Sequence, residues 1–295
     1  MKRIISFLLC LALVFSFVGC AKRSEKAVGK LNVVTTVFPL YDFVRAVGGD
    51  RVDITLIIPP GSEIHSFEPT PSDMAAVYES DVFFYIGGES DTWVQRLLDD
   101  KKINSCALID FVNLLYEDGE DEYDEHIWTS GDNAVLMVEK IAKELSKADN
   151  SGKEVYRKNC ENYCKRIKSV TDRLKKAVKE SGRKFILVAD RFPFKYMADC
   201  CGFSYEAAFG GCAVSTDISL KVMARLVDTV KEKNIKYVYC TEMSNKNIAL
   251  ALKEYTGAEI LELHSAHNVT ADDFKNKITY VDIMERNLKS LKRGL

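Results

Sequence analysis

Residues 153 to 180 carry apolar side chains at Tyr156, Cys160, Tyr163, Ile167, Val170, Leu174 and Ala177, spaced 4, 3, 4, 3, 4, 3. That spacing keeps one face of a continuous α-helix apolar over about 42 Å, at 1.5 Å per residue. Few folds can accommodate such a helix. A single seam with no matching partner makes a poor coiled coil, so the segment is expected to be an internal strut that crosses two lobes, with Cys160 and Cys164 on its packed face.

The stretches on either side read as α/β units. LNVVTTV (31–37) and VDITLII (52–58) are β-branched runs with the helix-like FPLYDFVRAV between them, and VFFYIG (82–87) and CALID (106–110) add two more strands. Beyond the strut, FILVA (185–189), KYVYCTE (236–242) and EILEL (259–263) alternate with helices expected near 217–233, 247–255 and 270–292. Strands alternating with helices predict an α/β fold of two lobes, each a mainly parallel sheet flanked by helices, joined by one long backbone helix. The chain has 295 residues, enough for two lobes at roughly 100–200 residues per domain. The expected segments are a signal peptide (1–19), a lipidated cysteine and tether (20–30), an N-terminal lobe (31–150), the interlobe helix (151–182) and a C-terminal lobe (183–295).

The first segment rests on Lys2 and Arg3 preceding an apolar run from Ile4 to Val18, too short to span a bilayer but suited to secretion. The run ends in FVGC (17–20), which resembles the lipobox of bacterial lipoproteins with Phe17 in place of the usual leucine. The resemblance implies acylation of Cys20, attachment to the membrane through that lipid and an extracytoplasmic location. AKRSEKAVGK (21–30) has the polar, small-residue composition of a tether. The balance of 41 basic and 43 acidic residues, with no arginine-rich stretch, argues against nucleic acid as a partner. Seven cysteines remain after Cys10 and Cys20 are set aside. Their odd number and the absence of a C-x-x-C spacing suit small buried residues better than a disulfide framework.

All four histidines fall in loops. His65 sits in PPGSEIHSFEPTPSD (59–73), which holds four of the six prolines. Prolines fix φ and remove backbone donors, so the segment reads as a stiff loop. It enters a helix at Thr70, with Pro71 at the first helical position and Asp73 three residues after the cap. His126 closes EDGEDEYDE, in which seven of nine residues are acidic. Such a run is ordinarily a solvated face, though its field also concentrates cations. His264 and His267 follow the last strand. In parallel sheets, ligand sites lie beyond the carboxyl ends of strands, so two facing lobes are expected to bring His65 and His126 against His264 or His267. Neutral imidazoles with one or two carboxylates suit a borderline cation such as zinc.

Across nearly the whole chain beyond residue 20, the sequence resembles the metal-binding lipoproteins of ABC importers for zinc and manganese. PPGSEIHSFEPTPSD looks like that family's first ligand motif, SDVFFYIGGESDTWVQRL (80–97) like its strand, glycine turn and tryptophan helix, and EHIWTS (125–130) like its second ligand motif. TEMSNKNIALALKEYTGAEIL and YVDIMERNLKSL match its C-terminal lobe. Three departures stand out. Glu125 replaces the proline that usually precedes the second histidine. Arg191 stands where the family has a third ligand, five residues before Tyr196, and arginine stays protonated and cannot ligate; Asp190 is the replacement considered. His264 and Ser265 stand where an aspartate and serine are usual, with His267 a competing donor. Glu242 matches a family glutamate that the resemblance assigns, paired with Arg191, to supporting the site rather than binding metal.

The resemblance implies capture of a divalent cation between the lobes, without chemistry, and delivery to an ABC permease by a protein expected to be a monomer. As many as three histidines and one carboxylate favour Zn2+, whereas two carboxylates would favour Mn2+. Because imidazole must be neutral to bind, affinity is expected to fall below about pH 6.5. The competing classes are a surface adhesin, a thiol-redox lipoprotein and a zinc hydrolase. For the last, no H-E-x-x-H motif is present.

Overall fold

The computed structural model describes residues 29–62, 67–100, 103–116, 123–211 and 218–295. From Leu31 onward the chain forms two four-stranded parallel sheets, each with helices against it.

In the first lobe, β1 (Leu31–Thr35), α1 (Phe38–Gly48) and β2 (Val52–Leu56) make the expected βαβ unit. The helix α2 (Pro71–Tyr78), β3 (Val82–Tyr85), α3 (Thr92–Asp100) and β4 (Ser105–Ala107) follow. The strand order is β2-β1-β3-β4, with Val33 opposite both Ile54 and Val82. Val33, Val34, Phe83 and Phe84 are fully buried, as β-branched and aromatic residues covered on both faces of a parallel sheet should be. At the start of α2, Thr70 accepts from the Asp73 backbone while Asp73 accepts from the Thr70 backbone, the reciprocal cap expected from the sequence.

α4 (Gly131–Ala148) leads into α5 (Lys153–Glu180), the 28-residue strut, which packs on α1 and α4. Its buried face runs through Tyr156, Cys160, Tyr163, Ile167, Val170 and Leu174, then passes to Val178 instead of Ala177. The handover follows from geometry, because a 3.5-residue stripe drifts around a straight helix of 3.6 residues per turn.

The second lobe comprises β5 (Phe185–Val188), α6 (Lys195–Cys201), β6 (Ser204–Ala207), α7 (Leu220–Glu232), β7 (Tyr237–Cys240), α8 (Asn247–Thr256) and β8 (Glu259–Glu262). Its order is β6-β5-β7-β8. Two of these elements, α6 and β6, have no counterpart in the sequence reading. β6 is an edge strand whose SYEA sequence is only partly buried, and α6 is seven residues long, ending at Gly202 in the left-handed region at φ 78°. The expected terminal helix is two helices, α9 (Ala271–Lys275) and α10 (Tyr280–Gly294). Lys277 at φ 57° breaks the run, and Thr279 with Asp282 starts a new helix through a capping box.

α5 meets the second lobe through α10. The joint centres on buried Asp42 of α1, which accepts from the Tyr163 hydroxyl of α5 and, at 2.8 Å, from the backbone N–H of Tyr280 at the start of α10. Arg45 adds a 2.5 Å ion pair to Asp42 and donates to the Ile278 carbonyl at 2.6 Å. The six described cysteines are all free thiols, five of them buried, as small packed residues would be.

Candidate metal centre

The strand order reverses between β1 and β3 in one lobe and between β5 and β7 in the other. Crevices at such reversals, beyond the carboxyl ends of the strands, are where parallel sheets bind ligands. Glu125 and His126 of the first lobe and His267 of the second meet there. One donor atom from each lies within 4.8 Å of the others, and all three residues are buried.

The backbone around His126 is held from both lobes. Asp124 accepts the His126 backbone N–H at 2.7 Å and lies 2.9 Å from its Nδ1. Its own carbonyl accepts from the Tyr196 hydroxyl of α6 at 2.8 Å. A carboxylate at Nδ1 holds the proton on that nitrogen, which leaves the Nε2 lone pair as the donor to a cation, the usual support for a metal-binding histidine. Tautomer follows here from the partner, not from a hydrogen position.

Glu125 is positioned by the turn after β3. Its two carboxylate oxygens accept from the backbone N–H of Ser90, at 2.9 Å, and from the Ser90 hydroxyl. Gly88 makes this approach possible, since a Cβ at that position would overlap the Glu125 side chain.

His267 stands in the loop after β8, where Ala266 adopts φ 60°. The left-handed region is costly for a residue with a Cβ, about 1–2 kcal/mol, and such strain gathers at functional sites. The surroundings impose it: Glu242 accepts from the Ser265 backbone at 2.9 Å and hydroxyl at 2.6 Å, and Ser265 Oγ accepts the His267 backbone N–H at 3.1 Å. Trp128 closes the wall. Its indole N–H donates to the Ser265 carbonyl at 2.8 Å and its ring centroid lies 4.7 Å from that of His267.

His264 is buried outside the cluster; its Nδ1 accepts the Ala266 backbone N–H at 3.0 Å, and Asn287 bonds its backbone N–H and carbonyl. Asp190 also lies outside the cluster, accepting from the Arg191 backbone and the Thr241 hydroxyl, each at 2.8 Å. Arg191 and Glu242 line a cavity of about 70 Å³ together with His126 and His267. His65 and Cys20 lie outside the described residues. The root of the His65 loop is described: Asn268 donates to the carbonyls of Pro59 and Ser62 at 3.0 and 2.9 Å, and Gly61 donates to the Val269 carbonyl at 2.8 Å. Glu125 is the member of the cluster that the sequence marks only as a departure from the family motif. Its one sequence signal is its place beside His126 at the end of the acidic run.

The family model for zinc-uptake complex component A, ZnuA, matches residues 33–294. The chain belongs to the ZnuA family. The zinc-binding lipoprotein AdcA of Streptococcus pneumoniae strain R6 is 30% identical over 309 residues, covering 99% of this chain and 61% of AdcA, so the chain spans less than two thirds of that relative. The high-affinity zinc uptake system protein ZnuA of Bacillus subtilis strain 168 is 29% identical over 285 residues, covering 90% of this chain and 88% of that protein. The crystal structure of the Zn(II)-bound ZnuA-like domain of Streptococcus pneumoniae AdcA superimposes with a TM-score of 0.79 at 30% identity, covering 90% of this chain and 99% of the domain. The ZnuA-family fold of two parallel-sheet lobes around a long helix is thus common to both.

Proposed function

We propose that this ZnuA-family protein captures Zn2+ between its lobes as cargo and delivers it to the permease of an ABC importer, with no chemical transformation of its own. The observation that carries this reading is the meeting of Glu125, His126 and His267 within 4.8 Å. Donors around a tetrahedral zinc lie about 3.3 Å apart, given bond lengths near 2.0–2.1 Å. The three atoms therefore close by no more than about 1.5 Å to hold the ion, a displacement suited to slight rocking of lobes tied together at Asp42. His65 is proposed as a further ligand, from the loop whose root is bonded to Asn268 beside His267. Asp190 and His264 are assigned to support: Asp190 to the turn after β5, and His264 to the loop that presents His267.

Two imidazoles favour Zn2+ over Mn2+, which prefers carboxylate and water. The names of the relatives, zinc-binding and zinc-uptake proteins, support the same choice. Cys20 is proposed to carry the lipid that holds a monomeric protein at the outer face of the cell membrane. Calorimetric titration of the metal-free protein with Zn2+ and with Mn2+ tests the cargo: one Zn2+ per chain is expected, bound at least tenfold more tightly than Mn2+. Equal affinities, or no zinc bound, defeat the assignment.

A further inference from the structure

A cavity of about 770 Å³ lies between α4 and the first half of the strut α5, and none of its lining residues belongs to the metal cluster described above. Ala142 of α4 with Cys160 and Cys164 of α5 form its floor, since these three are buried while the charged residues around them are exposed. The two cysteines are four residues apart and so share one face of the helix. Their Sγ atoms lie 3.9 Å from each other.

That separation is nearly twice a disulfide bond of about 2.05 Å, but it is one that a single ion can bridge. Two metal–sulfur bonds of about 2.3 Å each span roughly 3.8 Å at the tetrahedral angle and about 4.6 Å when linear. The thiols have only weak commitments elsewhere. Cys160 reaches the Val138 carbonyl at 3.9 Å and Cys164 the Val135 carbonyl at 4.0 Å, long bonds from a weak donor. The hydrogen bond from Cys164 holds the Cys160 thiol below its ordinary value, against the effect of burial, and the thiolate is the form that ligates a metal. Charge around the pair selects the ion. Six basic residues line the cavity against two acidic ones, Glu139 and Glu161, and Glu161 is paired with Arg157. Such a rim favours thiolates, opposes the entry of free dications and suits a complex that is itself negative. Two thiolates around a monovalent ion carry one negative charge; around a dication they carry none.

We propose that Cys160 and Cys164 form a second metal site, for a thiophilic monovalent cation of the Cu+ class held between two thiolates on the floor of this cavity. Thiolate ligands select such soft ions over the harder cations that imidazole and carboxylate take. Binding exchanges both thiol protons for the ion, 2 RSH + Cu+ → (RS)2Cu− + 2 H+, with the protons passing to solvent and no change of oxidation state. Lys168, four residues after Cys164 on the same helix face and part of the cavity lining, offsets the negative charge. The cavity itself supplies the entry path that a metal site needs. The site shares no ligand with Glu125, His126 and His267, so it stands whether or not zinc is the cargo of the cleft.

The test is competition for Cu+ between the reduced protein and the chromogenic chelator bicinchoninate, in the absence of oxygen. The parent is expected to withdraw one Cu+ per chain, and Cys160→Ser and Cys164→Ser each to bind it at least tenfold more weakly. A second variant leaves the buried floor intact: Lys165→Gln combined with Lys168→Gln changes only the exposed rim, and is expected to weaken Cu+ binding several-fold. Cys200→Ser combined with Cys201→Ser removes the adjacent thiol pair of α6, and His267→Ala disrupts the cleft cluster; both are expected to keep full Cu+ affinity, and a hundredfold excess of Zn2+ is expected to leave the Cu+ in place. The proposal is overturned if the parent withdraws no Cu+, or if both single cysteine variants or the double lysine variant bind it as the parent does. It is equally overturned if binding is lost in the Cys200, Cys201 variant or in His267→Ala, or if Zn2+ displaces the ion.

Discussion

His126 of the first lobe and His267 of the second meet edge to face, their ring centroids 5.0 Å apart and their planes at 87°. Each arrives on a loop fixed by a carboxylate, Asp124 for His126 and Glu242, through Ser265, for His267. The pair brings one nitrogen donor from each lobe to a common point, so an ion bound there also bridges the lobes. That predicts a stabilisation by zinc that grows with its concentration, since a ligand bound only by the folded state adds RT ln(1 + [L]/Kd), about 2.7 kcal/mol at one hundred times Kd.

His264 and His267 separate cleanly under this arrangement. His264 spends its Nδ1 on the Ala266 backbone and lies outside the cluster, whereas His267 belongs to it. His267→Ala is therefore expected to weaken zinc binding by two orders of magnitude or more, the scale of losing one of a few ligands. His264→Gln should change it by less than tenfold. Titration of both variants decides the matter: stronger loss from His264→Gln than from His267→Ala reverses the assignment.

Gly88 sets a third expectation. A methyl group at this position runs into Glu125, so Gly88→Ala should push that side chain off Ser90. Overpacking costs about 1–3 kcal/mol, and the displaced carboxylate changes the zinc site as well. The variant is expected to unfold at lower urea and to bind zinc several-fold differently from the parent. Unchanged values for both would show that the turn after β3 does not position Glu125.

Much of this architecture is legible in the sequence because its signals are local. The stripe from Tyr156 to Leu174, the β-branched strands and the Thr70–Asp73 cap are each decided within a few turns of chain. α6 and β6 were not legible, since a seven-residue helix and an edge strand reading SYEA carry little periodicity. The break between α9 and α10 could have been found from Thr279 and Asp282, which form the same kind of cap as Thr70 and Asp73. The donor set is harder to read. Whether His264 or His267 faces the cluster depends on the left-handed turn at Ala266, and Glu125 is recruited by Ser90, 35 residues away. Neither is visible in spacing.

Asp91 ties the end of β3 together, accepting the backbone N–H groups of Ile86 at 2.7 Å and Gly87 at 3.1 Å. Burial pushes its carboxyl up to about 7 from an ordinary 3.8, with a smaller push from the Glu125 charge, while the backbone bonds oppose the rise. Between about pH 4 and 7 the folded protein thus holds a proton that the unfolded chain has released. Stability from this group is highest below pH 4, falls as pH rises through 7, and is level above, by on the order of a few kcal/mol in all. Asp91→Asn keeps an oxygen for the two backbone donors and has nothing to titrate. Its urea midpoint should fall less between pH 5 and pH 8 than that of the parent; an equal fall in both would place the proton elsewhere.

The joint at Asp42 gives the last expectation. One buried carboxylate there serves Tyr163 of the strut, Tyr280 at the start of α10 and Arg45, so three donors from both lobes depend on it. Burial raises its pKa, and the Arg45 charge with the tyrosine and backbone bonds holds it back. Removing this carboxylate leaves the buried Tyr163 hydroxyl and Tyr280 N–H without their acceptor, at about 1–3 kcal/mol each, and also unpairs Arg45, whose partly exposed side chain can turn to water. Tyr163→Phe gives up only one of these bonds, so Asp42→Ala should destabilise the protein more than Tyr163→Phe in equilibrium urea unfolding. It should also weaken zinc binding although Asp42 is not among the proposed ligands, since the two histidines sit on opposite sides of the joint. A variant that loses stability but keeps full zinc affinity would mean that the lobes stay aligned without this carboxylate.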